Sequence, residues 1–201
     1  MRCKLSLSAL LIVAAVAVLP PAPARAADDG ASLITDLGNQ AIQVLSSQHS
    51  EADREKQFRE LFEKGFDAGA IARFVLGPYW RTASEAQRQE FVRLFTTFIV
   101  HVYTVRFNEF TNQQFKVTGS RPEGDSSTLV TSQITGPGGE APLRIDWRVA
   151  KTEKGFRISD VIVEGVSMAI TERQEFTAVI QRAGGQIDAL LKMLREKTGE
   201  S

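Results

Sequence analysis

Between Ser84 and Phe110 the apolar residues Phe91, Leu94, Phe95, Phe98, Val102 and Val105 recur at steps of three and four, the spacing that stacks side chains on one helical face. Val92, Ile99, Tyr103 and Phe110 widen that face to about half the circumference, more than the ~100° stripe a single core contact uses. The pattern predicts one long helix over 84–110 with apolar material on more than one side. Either it is sandwiched between a sheet and other helices, or it lines a cavity large enough for a lipid.

Upstream, Leu33, Ile34, Leu37, Ala41, Val44 and Leu45 keep helical spacing against polar Gln40, Gln43 and Gln48, which predicts an amphipathic first helix over 29–48. Ser50-Glu51-Ala52-Asp53 fits a capping box and opens a second helix, which buries Phe58, Leu61 and Phe62 before Gly65. Asp67 then caps a short third helix over 68–76, stopped by Gly77 and Pro78. The charges between Glu51 and Lys64 read as a solvated helix face.

After the long helix the period drops from 3.6 to 2. Strands are predicted over 114–120, 127–135, 143–150 and 156–164, separated by Arg121-Pro122-Glu123-Gly124-Asp125, by Gly136-Pro137-Gly138-Gly139 and by Lys154-Gly155. In the third, Leu143, Ile145, Trp147 and Val149 alternate with Arg144, Asp146, Arg148 and Ala150, so one face is apolar and the other polar. Connections this short imply an antiparallel meander. Two helices close the chain: one capped by Ser167 and carrying Ile170, Phe176 and Ile180, then, past Gly184-Gly185, one carrying Ile187, Leu190, Leu191 and Leu194.

A four-stranded sheet has one apolar face to cover, and the long helix with its N-terminal neighbours is the available cover. The expected fold is α+β: a four-stranded, antiparallel, curved sheet packed against N-terminal helices and a long central helix, with two C-terminal helices. The arrangement is similar to the cone-shaped NTF2- or cystatin-like folds.

Composition narrows the function. The 201 residues are 43% hydrophobic and 24% charged, enough for one well-packed domain. Arg2 and Lys4, the apolar run Leu5 to Leu19, and Ala24-Arg25-Ala26 have the layout of a secretory leader cleaved after Ala26. The run is shorter than the ~20 residues that span a bilayer, and Pro20, Pro21 and Pro23 break it. Removing residues 1–26 as a signal peptide leaves 27–201 as a single domain with 21 basic against 24 acidic side chains, a net of −3. Such a chain lacks the basic face that nucleic-acid binding requires. The one cysteine, Cys3, leaves with the leader, so the mature protein has no thiol or disulfide.

Catalytic groups are sparse. His49 and His101 are the only histidines, and HExxH, GxSxG and P-loop patterns are absent, so neither a catalytic nor a metal residue is assigned. His101, beside the apolar arc, reads as a packed, hydrogen-bonded core residue. Asp160 shares phase with Phe156, Ile158 and Ile162 and would point to the apolar side, where desolvation would make it a base. A β-bulge or a hydrogen-bonding role at a turn is the favoured alternative for it.

Asp160-Val161-Ile162-Val163-Glu164-Gly165-Val166-Ser167-Met168, followed by Arg173-Gln174-Glu175-Phe176 and Gly184-Gly185, resembles the C-terminal signature of the MlaC, or toluene-tolerance, family of periplasmic lipid carriers. Val75-Leu76-Gly77-Pro78-Tyr79-Trp80 with Ser84-Glu85-Ala86-Gln87-Arg88, and Leu143-Arg144-Ile145-Asp146-Trp147-Arg148, resemble that family's turn before its long helix and its central strand. The resemblance covers about Leu33 to Lys197.

It implies a periplasmic, monomeric carrier without a cofactor that shuttles phospholipid between an outer-membrane lipoprotein complex and an inner-membrane ABC transporter bearing an MCE-domain ring. A hopanoid-associated branch of the family leaves a hopanoid as the alternative cargo. The expected lipid-binding residues are Phe95, Phe98, Ile99, Val102 and Tyr103 on the long helix, with Ile145, Trp147, Ile162 and Val166 on the sheet side. Two other readings stay open: an NTF2-like isomerase- or lyase-type enzyme using Asp160 or Asp146 with Tyr103, and a cargo-free adaptor domain.

Overall fold

The structure, a computed structural model, describes residues 24–46, 50–107, 113–139 and 141–200. The predicted leader up to residue 23, His49 and Phe110 lie outside the described residues.

The elements run α1 (Ala24–Ser46), α2 (Glu51–Gly65), α3 (Ala68–Leu76), α4 (Tyr79–Thr82), α5 (Glu85–Phe107), β1 (Gln114–Glu123), β2 (Ser127–Thr135), β3 (Leu143–Thr152), β4 (Gly155–Val163), β5 (Val166–Ser167), α6 (Met168–Arg182) and α7 (Ile187–Thr198). Local chemistry accounts for most helix starts. Ser50 Oγ accepts from the Asp53 amide at 3.1 Å, and Asp67 Oδ1 accepts from the Ala70 amide at 3.0 Å. Asp53 spends its carboxylate on the Ser50 hydroxyl, at 2.7 Å, so the box expected there is closed on one side only. The reciprocal box forms instead at α5: Ser84 Oγ accepts from the Gln87 amide, and the Ser84 amide donates to Gln87 Oε1. Ser167 Oγ accepts from the Ile170 amide and so caps α6.

The sheet is an antiparallel meander in the order β1-β2-β3-β4-β5. It has five strands rather than the four expected. After Glu164 and Gly165, both with positive φ, the chain folds back and pairs Val166 with Val163 and Ser167 with Ile162. Two residues are too few to show a period, which is why this strand escapes a pattern-based reading. The four-residue α4 escapes it for the same reason. β1 also runs on through Arg121 and Pro122, because an edge strand tolerates a residue without an N–H. Bulges at Thr118 on β1 and Ser159 on β4 interrupt the register.

Two apolar cores form. The helical core gathers α3, α5, α6 and α7 around Phe91, Leu94, Phe95, Phe176, Leu190 and Leu194. The sheet-side core joins Ile34 and Leu37 of α1 to Val130, Val149 and Ile158. The element laid across β1 and β2 is therefore α1, and the principal neighbours of α5 are α7, α2 and α3. That corrects the expectation that the long helix is the main cover of the sheet. A wide apolar arc records only that several neighbours are apolar, and here helices supply them. Phe66 packs against both cores, stacks on Phe62 with ring centroids 4.6 Å apart, and pairs with Ile158 in a parallel bridge.

Candidate functional site

The register sorts the sheet residues by face. Ile145 lies opposite Ser132 on β2 and Val163 on β4, and Trp147 lies opposite Val130 and Val161. Because partners across an antiparallel pair share a face, Ile145, Trp147 and Val149 line the side on which α1 packs. Trp147 is half-buried, donates its indole N–H to Ser132 Oγ at 2.8 Å and meets Phe115 edge-on at 6.4 Å. Its orientation is thus held while part of its apolar surface stays open.

On α5 the expected residues divide along the helix. Phe95 is only 2% exposed and stands between Phe91 and the edge of Phe176, so it belongs to the helical core. Phe98 and Ile99 are half-buried and pack against that core from its margin, and Val102 and Tyr103, one turn on, are half-buried too. Beyond Phe95 the packing stays closed on the side of Val100 and Thr104, both buried, and opens on the side of Phe98, Ile99, Val102 and Tyr103.

Two sheet residues depart from the expected set. Ile162 pairs with Asp146, on the face opposite Trp147. Val166, at the sheet edge, is 54% exposed. The cause of the first departure is the bulge at Ser159, which sets Val149 opposite Ile158 but Arg148 opposite Asp160, reversing the phase of everything after it. The bulge expected near Asp160 falls on its neighbour Ser159 and removes that acid from the apolar face.

Asp160 is 6% exposed and fully engaged. It accepts from Arg148 Nη1 at 2.9 Å, from Ser167 Oγ at 2.7 Å and from the Ala169 amide at 3.2 Å, which fastens β4 to the start of α6. Arg148 also grips Glu123 with two nitrogens, at 2.6 and 3.3 Å. That hydrogen bond holds the Glu123 carboxyl below its ordinary range against the opposing effect of burial, and it raises Arg148 in turn. Asp146 is held by Thr131 Oγ1 at 2.6 Å and by Arg144. Both acids considered for proton transfer therefore carry structural bonds.

His101 is not in the core. It is half-exposed, with Nδ1 3.5 Å from Glu55 Oε2 on α2. Among the described residues there is no group of three or more His, Cys, Asp or Glu side chains that could hold a metal ion.

The sequence reading passed over an open groove between α3, α4 and α6. Its lining includes Arg73, Phe74, Trp80, Arg81 and Arg173, with Ile170 and Thr177 farther along. The available signal was Phe74, a large aromatic on the side of α3 away from buried Ile71, Ala72, Val75 and Leu76.

Comparison with known proteins adds to this geometry. A family model described as MlaC protein matches residues 35–196. The intermembrane phospholipid transport system binding protein MlaC of Haemophilus influenzae is 23% identical over 129 residues, covering 63% of this chain and 59% of the relative. Toluene tolerance protein ttg2D of Pseudomonas putida is 24% identical over 123 residues, covering 61% and 57%. The chain thus spans less than two thirds of the length of either relative. A phospholipid-binding protein from Ralstonia solanacearum, solved in complex with a phospholipid, superposes with a TM-score of 0.74 at 19% identity, over 86% of this chain and 98% of that one, so the two share a fold. The family model spans most of the sequence, and this chain belongs to the MlaC family.

Proposed function

We propose that this protein is a phospholipid carrier that takes acyl chains between the C-terminal half of α5 and the sheet face carrying Ile145 and Trp147. The observation that carries the reading is the pair of apolar cores joined through Phe66, each with half-buried apolar residues at its margin: Phe98 and Ile99 on one, Trp147, Phe115 and Val161 on the other. Acyl chains would complete the burial that protein atoms leave partial. Each buried CH₂ contributes roughly 0.8 kcal/mol, so a sixteen-carbon chain leaves a membrane only for surroundings worth on the order of 10 kcal/mol.

A relative named for phospholipid transport and a structural neighbour solved with a phospholipid support the same class of cargo. In this reading residues 1–26 are removed on export, and the domain over 27–201 works in the periplasm. There it passes lipid between an outer-membrane lipoprotein complex and an inner-membrane MCE/ABC transporter, with a hopanoid as the alternative cargo. No described helix is long and apolar enough to cross a membrane.

The test is extraction and mass spectrometry of the exported, purified protein. Stoichiometric glycerophospholipid is expected. A hopanoid in its place would move the protein to the other cargo, and protein free of any lipid would end the carrier reading.

A further inference from the structure

The groove between α3, α4 and α6 lies apart from the face carrying Ile145 and Trp147 and has chemistry of its own. Two contiguous hollows, of about 570 and about 390 Å³, share Phe74 and Arg173. Phe74 and Ile170 are both large, apolar and close to half exposed, at 44% and 49%. Three guanidinium groups, Arg73, Arg81 and Arg173, stand around them, and no carboxylate is among the lining residues. This concentration of cations occurs on a chain whose basic and acidic residues are equal in number.

The arrangement is built. The Arg173 guanidinium lies over the Phe74 ring, 5.0 Å from its centroid. A Cβ at Gly77 would come within 3.1 Å of Arg173 Nε, and Gly77 holds a positive φ that other residues rarely adopt, so the glycine leaves the room that this stacking uses.

We propose that this groove docks an acidic, amphipathic segment of a protein partner, its apolar side chains laid along Phe74 and Ile170 and its carboxylates paired with the arginines. Charge complementarity selects the partner's sign. Guanidinium forks match carboxylates, and aromatic side chains with arginine are what the centres of protein interfaces are enriched in. Shape selects its form. A groove with Phe74 and Ile170 along its lining receives a ridge such as one helix face, whereas a bilayer is met by apolar residues that protrude, and here the Phe74 ring lies beneath a guanidinium.

The exported protein is titrated by fluorescence anisotropy with a labelled helical peptide of about 18 residues, leucines along one face and glutamates flanking them, and with its lysine counterpart. Saturable binding of the glutamate peptide alone is expected. The double variant Arg73→Glu, Arg81→Glu is expected to weaken it about tenfold or more, with co-purifying lipid and the circular dichroism spectrum unchanged. Ile170→Asp, at an exposed helical position, is expected to weaken it through the apolar contact alone.

No saturation by either peptide, equal binding of both, or unaltered binding to the double variant overturns the proposal. So does tighter binding to phosphatidylglycerol vesicles that the same two substitutions abolish, which would make the groove a membrane face. A dimer in sedimentation that Ile170→Asp dissolves would assign the groove to a second copy of this chain and overturn it as well.

Discussion

Arg148 of β3 donates to Asp160 of β4 at 2.9 Å across a register that Ser159 has displaced by one residue. That single extra residue puts the acid on the face of Arg148 instead of the face of Ile158. There Asp160 also receives the Ser167 hydroxyl and the Ala169 amide, and the start of α6 is thereby fastened to the sheet.

The same arginine makes stability depend on acid. Arg148 lowers the pKa of Glu123 from its ordinary 4.5, so the folded state binds that proton less readily than the unfolded chain. Its contribution is present above about pH 4.5 and is lost as pH falls through the lowered folded-state value. Glu123→Gln is expected to lower the urea midpoint near neutrality and to flatten its decline between about pH 6 and about pH 3, relative to the wild type. Glu123 is partly exposed and solvent screens the pair, so the effect is modest. Parallel curves for the two proteins would mean that the Arg148 bond does not persist in solution.

Gly38 of α1 lies so close to β1 that a Cβ there would stand 2.2 Å from Phe115 Cε1. The Phe115 ring is itself packed against Trp147. Gly38→Ala is therefore expected to destabilise by about 1 to 3 kcal/mol through overpacking, although alanine favours helices. In a Phe115→Ala background most of that cost should vanish, and the coupling in a double-mutant cycle measures the contact. Additive effects would place α1 farther from the sheet.

Val102 and Val105 share α5 but differ in surroundings: Val102 is half-buried and Val105 exposed. If acyl chains run along the C-terminal half of this helix, Val102→Asp sets a carboxylate against hydrocarbon, several kcal/mol uphill without a partner or water. Lipid per protein is expected to fall about tenfold or more, with helical content retained, while Val105→Asp keeps its cargo. Equal lipid in both variants would move the acyl chains away from α5.

Much of the architecture is legible in the residues themselves. Ser50, Asp67 and Ser167 announce helices that begin where their side chains can take an amide, and the alternation from Leu143 to Ala150 sorts β3 by face without any knowledge of its neighbours. These features are local, set by hydrogen bonds three residues long or by a period of two. The order of elements carries the resemblance to the MlaC family for the same reason.

What the tertiary structure decided is which apolar surfaces meet and where a period breaks. The breadth of the α5 arc says that its neighbours are apolar, yet only packing makes those neighbours α7, α2 and α3 and gives the sheet to α1. Phe95 and Phe98 are equivalent in pattern and both meet Phe176, but Phe95 is also closed in by Phe91 while Phe98 is only half-buried. Ile162 changes faces because of an unpaired Ser159 that carries no sequence mark, and Asp160 is stabilised there by groups from three other elements. Burial is a property of all the surfaces that come together, so no single segment's pattern contains it.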